Sequence, residues 1–145
     1  MIGLIQRVSS ASVSVDGQEI SRIGQGMLLL LGVEKDDGPA QIEKMVRKLA
    51  NYRIFSDENG KMNLNVQQIN GEVLIVSQFT LVADTQQGNR PGFSRGATPE
   101  HGQAVYEQLI SAARQAGLPV QTGQFGADMQ VSLVNDGPVT FQFQF

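Results

Sequence analysis

The sequence predicts a single α/β domain spanning residues 1–145, made of packed, largely antiparallel or mixed β-sheets and flanked by two main helices. Several segments alternate apolar and polar residues or are continuously apolar, patterns typical of half-buried and fully buried strands. Two longer segments repeat apolar residues at helical spacing instead. A chain of 145 residues with 41% hydrophobic composition is long enough to bury one core.

The N-terminal region predicts four strands. Residues 1–8 form the first, and residues 9–15 form a second with strict alternation of small apolar residues and serines. Asp16-Gly17 is typical of a two-residue hairpin turn, which makes residues 18–23 the partner strand. The continuous apolar run at 27–33 predicts a central strand buried on both faces.

The first helix is predicted to begin at residues 36–39, which supply polar capping candidates and a proline suited to the first helical position. Four apolar residues then form one stripe, Ile42, Met45, Val46 and Leu49. Three basic residues lie off that stripe, Lys44, Arg47 and Lys48. They could face a phosphate backbone, although a charge run on a helix is usually its solvated side.

The second helix is predicted to begin at Thr98-Pro99 and to end before Gly117 and Pro119. Its predicted inner stripe is Val105, Leu109, Ala112 and Ala116. The chain's one histidine, His101, falls in the first turn of this helix, where we expect it to be solvated.

Further strands are predicted before and after the second helix. Residues 53–55 form a short strand, residues 62–66 alternate, and residues 73–76 are continuously apolar. Residues 129–133 alternate again, and 135–138 are expected to turn the chain. The last strand places three phenylalanines on one face, so this face must be covered by a helix or by another subunit: Phe141, Phe143 and Phe145.

A polar interruption follows the buried strand 73–76. Ser77, Gln78 and Thr80 bring two hydroxyls and a carboxamide to the rim of the core, where polar groups must find partners. They could bond only to nearby backbone, as Ser and Thr often do. Residues 84–96 form one long Gly-rich loop with two arginines and a phenylalanine, and loops of this length are often functional.

The composition excludes several kinds of site. The absence of cysteine removes disulfides, thiolate nucleophiles and cysteine metal sites, and a single histidine argues against a multi-histidine metal site. We therefore expect no metal and no cofactor. The formal charge of −3 gives no global attraction for nucleic acid, so any RNA contact must be local. No apolar run suits a membrane span and no signal-peptide pattern is present, which predicts a cytoplasmic protein without membrane contact.

Two separated motifs give a more specific indication. Residues 77–80 read Ser-Gln-Phe-Thr, and residues 135–140 read Asn-Asp-Gly-Pro-Val-Thr. Together with Arg7, the loop at 90–91 and the strand at 61–66, they resemble the D-aminoacyl-tRNA deacylase family, and the resemblance covers essentially the whole chain.

The resemblance implies a barrel-like α/β homodimer that hydrolyses the ester between a D-amino acid and the terminal adenosine of tRNA, a chiral proofreading step in translation. It implies that residues 77–80 form the floor of the site and that a cis Gly137-Pro138 bond enters the site of the other subunit. Arg7 would hold the Gly-Pro segment, and Met129 with Phe79 would shape the pocket. Because Gly137 has no Cβ, the selecting surface would be backbone alone. Such a surface would reject L substrates but admit glycyl-tRNA.

Ester hydrolysis needs an activated oxygen nucleophile and stabilisation of the oxyanion. Thr80 could attack, but residues 77–80 contain no base to activate it, whereas backbone N–H groups near Phe79 and Thr80 could bind the oxyanion. The free terminal ribose hydroxyl could then assist water, and we favour this substrate-assisted mechanism over a threonine nucleophile. A non-catalytic RNA-end-binding module and a general small-ester hydrolase are the alternative functions.

Overall fold

The computed structural model describes residues 1–145. It contains eight strands, two α-helices and one short 3₁₀ helix at Phe79–Val82. In chain order the elements are β1 Ile2–Val15, β2 Gln18–Ile23, β3 Gly26–Gly32, α1 Pro39–Asn51, β4 Phe55–Ser56, β5 Met62–Leu64, β6 Glu72–Ser77, α2 Pro99–Gln115, β7 Val120–Thr122 and β8 Gln130–Gln144.

The main sheet is mixed. β1 pairs antiparallel with β2, β3 and β8, whereas β3 pairs parallel with β6 and β6 parallel with β7. β2 also contacts β6 and β7, so the sheet curls towards a barrel. β4 and β5 form a separate antiparallel pair. The predicted fold class, a barrel-like α/β arrangement with two main helices, is confirmed.

Some predicted strand boundaries were wrong. Ile2–Val15 form one strand, because β1 pairs with β8 on both sides of the bulge in β8, from Ile2 to Gln6 and from Val8 to Ser14. The short strand predicted at 53–55 is shifted to Phe55–Ser56, and the strand predicted at 62–66 ends at Leu64. The hairpin prediction is confirmed, with Asp16 and Gly17 both at positive φ.

The predicted stripe of α1 is fully buried and forms part of the largest hydrophobic cluster. In α2, Val105 and Leu109 are buried as predicted, but Ala116 is exposed and Tyr106 and Ala113 are buried instead. The buried face of α2 therefore differs from the predicted stripe, and the predicted residue at its C-terminal end is exposed. Neither helix has the length and apolar character needed to cross a membrane.

The two helix starts differ in how they are capped. Thr98 Oγ1 accepts the backbone N–H of His101 at 3.2 Å, as the capping prediction requires. His101 is half-buried and not solvated as predicted, because its Nε2 donates to the Asp37 carbonyl at 2.8 Å. Asp37 does not cap α1; its carboxylate accepts the Met1 amine at 2.8 Å and the backbone N–H of Glu34 at 2.7 Å.

The aromatic face of β8 is covered within the same chain. Tyr52, which follows α1, meets Phe141 and Phe143 edge-on with ring centroids 5.4 and 4.9 Å apart. Phe143 is buried and Phe145 stacks beside it. The end of α1 and Tyr52 therefore cover part of this face, and Phe141 and Phe145 remain half-buried in the single chain.

Gly26→Ala is expected to destabilise the fold by about 1–3 kcal/mol or more, the usual range for overpacking. A Cβ at Gly26 would overlap the backbone of Glu72, lying 2.7 Å from its nitrogen, at the point where β3 begins to pair with β6. Because backbone cannot move aside without breaking the pairing, the strain falls on the sheet. The free energy of unfolding, measured in denaturant, checks this. Gly24→Ala is the matched control, since a Cβ there meets no atom within 4 Å; equal losses would contradict the prediction.

Candidate active site

The site is built where β6 ends between two parallel neighbours. Val73 to Val76 are all buried, as predicted for a strand covered on both faces, and Ser77 is half-buried at the strand end. The Gln78 N–H donates to the Leu31 carbonyl at 2.7 Å, which extends the β3 contact by one residue. The chain then enters the 3₁₀ helix, whose first N–H groups have no acceptor within the helix.

A cavity of about 490 Å³ opens beside this strand end. Ser77, Gln78, Phe79 and Met129 all line it, so four of the predicted site residues share one cavity. The other lining residues are Val76 of β6, Val33 just after β3, and residues of the 3₁₀ helix, the 93–99 segment, α2 and the 125–131 segment. No Asp, Glu, His, Lys, Arg or Tyr lines the cavity. The polar side chains of the lining are therefore the hydroxyls of Ser77 and Thr98 and the carboxamide of Gln78, and no titratable side chain of this chain lines it.

Two phenylalanines lie at the cavity with unusually exposed rings. Phe79 is 64% exposed and Phe93 is 41% exposed, and their ring centroids are 5.2 Å apart. Exposed aromatic faces are the surfaces on which nucleic-acid bases stack. Thr80 lies just outside the lining, exposed, and its Oγ1 accepts a hydrogen bond from the Gln78 side-chain amide.

A hydrogen bond from α2 holds the strand that leads into the site. The buried Tyr106 hydroxyl donates to the Ile75 carbonyl at 2.8 Å, two residues before Ser77. Burial raises the pKa of Tyr106 to about 12, so this hydroxyl stays protonated at neutral pH. Phe125 packs edge-on against Tyr106 at 5.8 Å and lines the cavity, and Met129 Sδ accepts the Gln124 N–H at 3.4 Å.

The other predicted site residues lie in a bulge of β8. Gln6 pairs with Thr140 and Val8 pairs with Asn135, so Arg7 alone faces the four residues 136–139. The predicted turn at 135–138 was therefore wrong: the strand continues past this bulge in the same direction. The Asn135 side chain closes the bulge, accepting the Val139 N–H at 2.7 Å and donating to Thr140 Oγ1 at 3.0 Å.

Gly137 and Pro138 are exposed at the tip of this bulge. The Gly137-Pro138 peptide bond is cis, and Gly137 has a φ of +142°, a conformation that favours glycine. Arg7 holds the bulge from below: its Nε donates to the Asp136 carbonyl at 2.8 Å and its Nη1 to the Ile54 carbonyl at 2.8 Å. The Arg7 side chain is only 12% exposed, and so is a fixed support.

The structure therefore separates the predicted residues into two groups. Ser77, Gln78, Phe79 and Met129 line the cavity, with Thr80 beside them, whereas Arg7 and the Gly137-Pro138 bulge contribute no atom to it. Phe125 was not among the predicted site residues, although an aromatic residue between Gly123 and Gly126 in a polar stretch is a usable signal. Phe93, which belongs to the long loop predicted at 84–96, also lines the cavity.

Comparisons with known proteins agree on one family. The model of the D-Tyr-tRNA(Tyr) deacylase family matches residues 4–144. The chain is 70% identical over 143 residues to the D-aminoacyl-tRNA deacylase of Alteromonas mediterranea, and the match covers 99% of both chains. It is 63% identical over 141 residues to the D-aminoacyl-tRNA deacylase of Haemophilus influenzae, and that match covers 97% of both chains.

Solved structures agree on the fold. One described as c-Myc DNA Unwinding Element Binding Protein superposes with a TM-score of 0.95 at 40% identity, covering 100% of this chain and 99% of that one. A probable eukaryotic D-amino acid tRNA deacylase superposes with a TM-score of 0.85 at 18% identity over 98% of this chain and 97% of its own, which shows the fold alone. The match to the family model over nearly the whole length and the identity to its curated members establish that this chain belongs to the D-Tyr-tRNA(Tyr) deacylase family.

Proposed function

We propose that this protein hydrolyses the ester bond of D-aminoacyl-tRNA, releasing the free D-amino acid and tRNA. The observation that carries the proposal is the cavity at the end of β6, where a polar Ser77-Gln78 pair meets an otherwise largely apolar lining with exposed aromatic rings. Family membership supplies the substrate class, since the curated relatives are named D-aminoacyl-tRNA deacylases.

The cavity suits the aminoacylated end of tRNA in size and in character. Its volume of about 490 Å³ lies in the usual range for a small-molecule site. The paired rings of Phe79 and Phe93 offer stacking faces for the terminal adenine. Met129, with its flexible and polarisable side chain, shapes the inner wall beside Gly123.

The mechanism must supply a nucleophile without a protein base in the cavity. Water attacks the ester carbonyl carbon, the bond from that carbon to the ribose oxygen breaks, and the ribose oxygen leaves with a proton. The neighbouring free ribose hydroxyl, which lies next to the ester, positions the water and exchanges protons with it. The N–H groups of Phe79 and Thr80 stabilise the oxyanion, since the N–H of Gln78 is already used by Leu31.

Chiral selection in this proposal comes from the Gly137-Pro138 bulge of a partner subunit. The bulge is exposed and does not reach the cavity of its own chain, which supports a role at the cavity of a second copy. Its backbone would occupy the space into which an L side chain projects, while a D side chain turns away. Glycine has no side chain to exclude, so glycyl-tRNA is also a substrate of this site. The active protein is then a homodimer with two cross-subunit sites.

Matched D- and L-aminoacyl-tRNA test the proposed function. Release of free amino acid from the D substrate, with the L substrate left intact, is the expected result. The closely similar solved structure described as a DNA-element-binding protein favours nucleic-acid binding without hydrolysis as the second candidate function. Binding of tRNA with no amino acid released would support that candidate. Equal hydrolysis of a simple D-amino-acid ester would indicate a general esterase.

Thr80→Ala is expected to keep kcat within about tenfold of the original, because Thr80 is not the nucleophile in the proposed mechanism. Removal of a true nucleophile would lower kcat on the order of 10⁶-fold. Thr80 has no acidic or basic neighbour in the cavity, and its Oγ1 accepts a hydrogen bond from Gln78, which does not activate it. Single-turnover deacylation measures the effect. Thr80→Val, which preserves the shape, is the control. An acyl-enzyme trapped on Thr80 would overturn the substrate-assisted mechanism.

A further inference from the structure

A second cavity, of about 620 Å³, lies at the end of α1 and is unusually basic. We call it the basic hollow, and its lining residues are Lys44, Arg47, Lys48, Asn51, Tyr52, Arg53, Met62 and Phe145. Four of these eight residues are Lys or Arg and none is acidic, although the whole chain carries 11 basic and 14 acidic residues. The hollow is therefore a region of concentrated positive charge on a protein whose net charge is negative.

The cations of the hollow are largely free to bind an anion. Lys44, Lys48 and Arg53 make no ion pair in the structure. Arg47 pairs with Glu43 at 2.9 Å, but both side chains are about 70% exposed, and such surface pairs are weak. The last carbonyls of α1 carry a partial negative charge, which is smaller than the summed positive charge of the four cations.

Aromatic rings hold one of these cations in place. Lys48 Nζ lies 5.0 Å from the centroid of the Tyr52 ring and 5.6 Å from that of Phe143. Both distances are within the range of a cation–π contact, which orients the ammonium group. Lys44, Arg47 and Lys48 are spaced three and four residues apart along α1, so they share one helix face. A row of cations on one face matches a row of phosphates better than a single small anion.

One lining residue of the hollow, Arg53, connects it to the support of the Gly-Pro bulge. Arg53 precedes Ile54, whose carbonyl accepts Arg7 Nη1, and the same Arg7 holds the Asp136 carbonyl of the bulge. If the bulge enters the cavity of a partner subunit, Arg53 places its end of the hollow on the side of the molecule that faces that cavity. RNA whose 3′ end occupies the cavity of one subunit then passes the hollow of the other.

We propose that the basic hollow binds phosphates of the tRNA backbone close to the aminoacylated end, across the dimer from the cavity that receives that end. This inference rests on the proposed function and adds where the body of the substrate docks. Phosphate contacts of this kind position a nucleic acid without reading its sequence, so the hollow would serve every D-aminoacyl-tRNA alike.

The double variant Lys44→Gln/Arg53→Gln tests the proposal, since both residues are exposed and neither belongs to the catalytic cavity. For D-aminoacyl-tRNA we expect a KM about tenfold higher, kcat unchanged, and a salt slope of log kcat/KM reduced by about 2, roughly 1 for each phosphate contact. For D-aminoacyl-adenosine, which has no RNA backbone, wild type and variant should be equal. An unchanged salt slope, or equal losses on both substrates, would overturn the proposal.

Arg47→Gln and Arg22→Gln provide a matched pair. Each removes one exposed arginine that pairs with a nearby glutamate, Glu43 for Arg47 and Glu19 for Arg22. Arg22, however, lies on β2 opposite Ser12, at the far end of β1 from Phe145 and the hollow. Only Arg47→Gln should weaken tRNA binding; equal effects would refute the hollow. Binding of uncharged tRNA separates the two proposals: if wild type released no amino acid, the proposed function would fail, while the binding difference would still decide the docking site.

Discussion

Replacing Gly137 by alanine is expected to lower kcat/KM for D-aminoacyl-tRNA by about 10²-fold, the loss that follows a displacement of about 1 Å at a catalytic site. The same variant should discriminate less well against L-aminoacyl-tRNA. Both effects arise from one cause, because the proposed filter is the backbone of the bulge and alanine moves that backbone.

The contacts around Gly137 leave no room for a side chain. An added Cβ would lie 2.7 Å from Val139 Cγ2, 3.1 Å from Val139 N and 3.2 Å from Arg7 Nη2. The φ of +142° is in addition a conformation that L residues rarely adopt. Arg7 is held by two carbonyls and Val139 is buried, so neither neighbour moves without disturbing the bulge.

Asp136→Ala is the matched control for Gly137→Ala. Arg7 binds the backbone carbonyl of Asp136, which alanine retains, whereas the lost carboxylate is 55% exposed and 3.7 Å from Arg7 Nε. We expect turnover within a few-fold of wild type for this control and an unchanged circular dichroism spectrum for both variants, since the bulge is exposed. Unchanged D turnover together with intact rejection of L substrate in Gly137→Ala would remove the bulge from the mechanism.

The fold was predictable wherever one local pattern determined an element. The buried run of β6 and the stripe of α1 follow from apolar periodicity, and the start of α2 follows from Thr98 and Pro99. The bulge was not predictable from local pattern, because it depends on pairing between β1 and β8 at opposite ends of the chain. Residues 135–138 resemble a turn in composition, but Asn135 pairs with Val8 and the residues after it lie opposite Arg7, which is 129 residues from Asp136 in the chain.

The candidate site was predictable in part for the same reason. Residues 77–79 enter the cavity directly from the end of a strand that the sequence indicated. Phe125 reaches it through packing against Tyr106, a contact that periodicity does not report. The basic run of α1 was visible in the sequence, but Arg53 and the aromatic rings that complete the basic hollow join it only in the fold.

Removal of the free terminal ribose hydroxyl from the substrate is expected to have an effect as large as any mutation of the protein. With hydrogen in its place, D-aminoacyl-tRNA should be hydrolysed about 10²–10⁴-fold more slowly, the usual contribution of a positioned acid–base group. The reason is that the cavity contains no titratable side chain that could take over proton transfer. Single-turnover release of the D-amino acid at saturating protein measures the chemical step separately from binding.

Two controls make this result specific to the enzyme. The uncatalysed hydrolysis of both esters is measured in parallel, because the hydroxyl also assists the reaction in water, and the prediction concerns the enzymatic rate enhancement. Competition with the unmodified substrate should show similar binding of the two, since in the proposed complex the adenine and aminoacyl groups contact Phe79 and its neighbours and the missing hydroxyl does not. Full turnover of the modified substrate would mean that the protein supplies its own base. If Thr80→Ala then abolished turnover, the threonine hydroxyl would be the nucleophile and the substrate-assisted mechanism would be wrong.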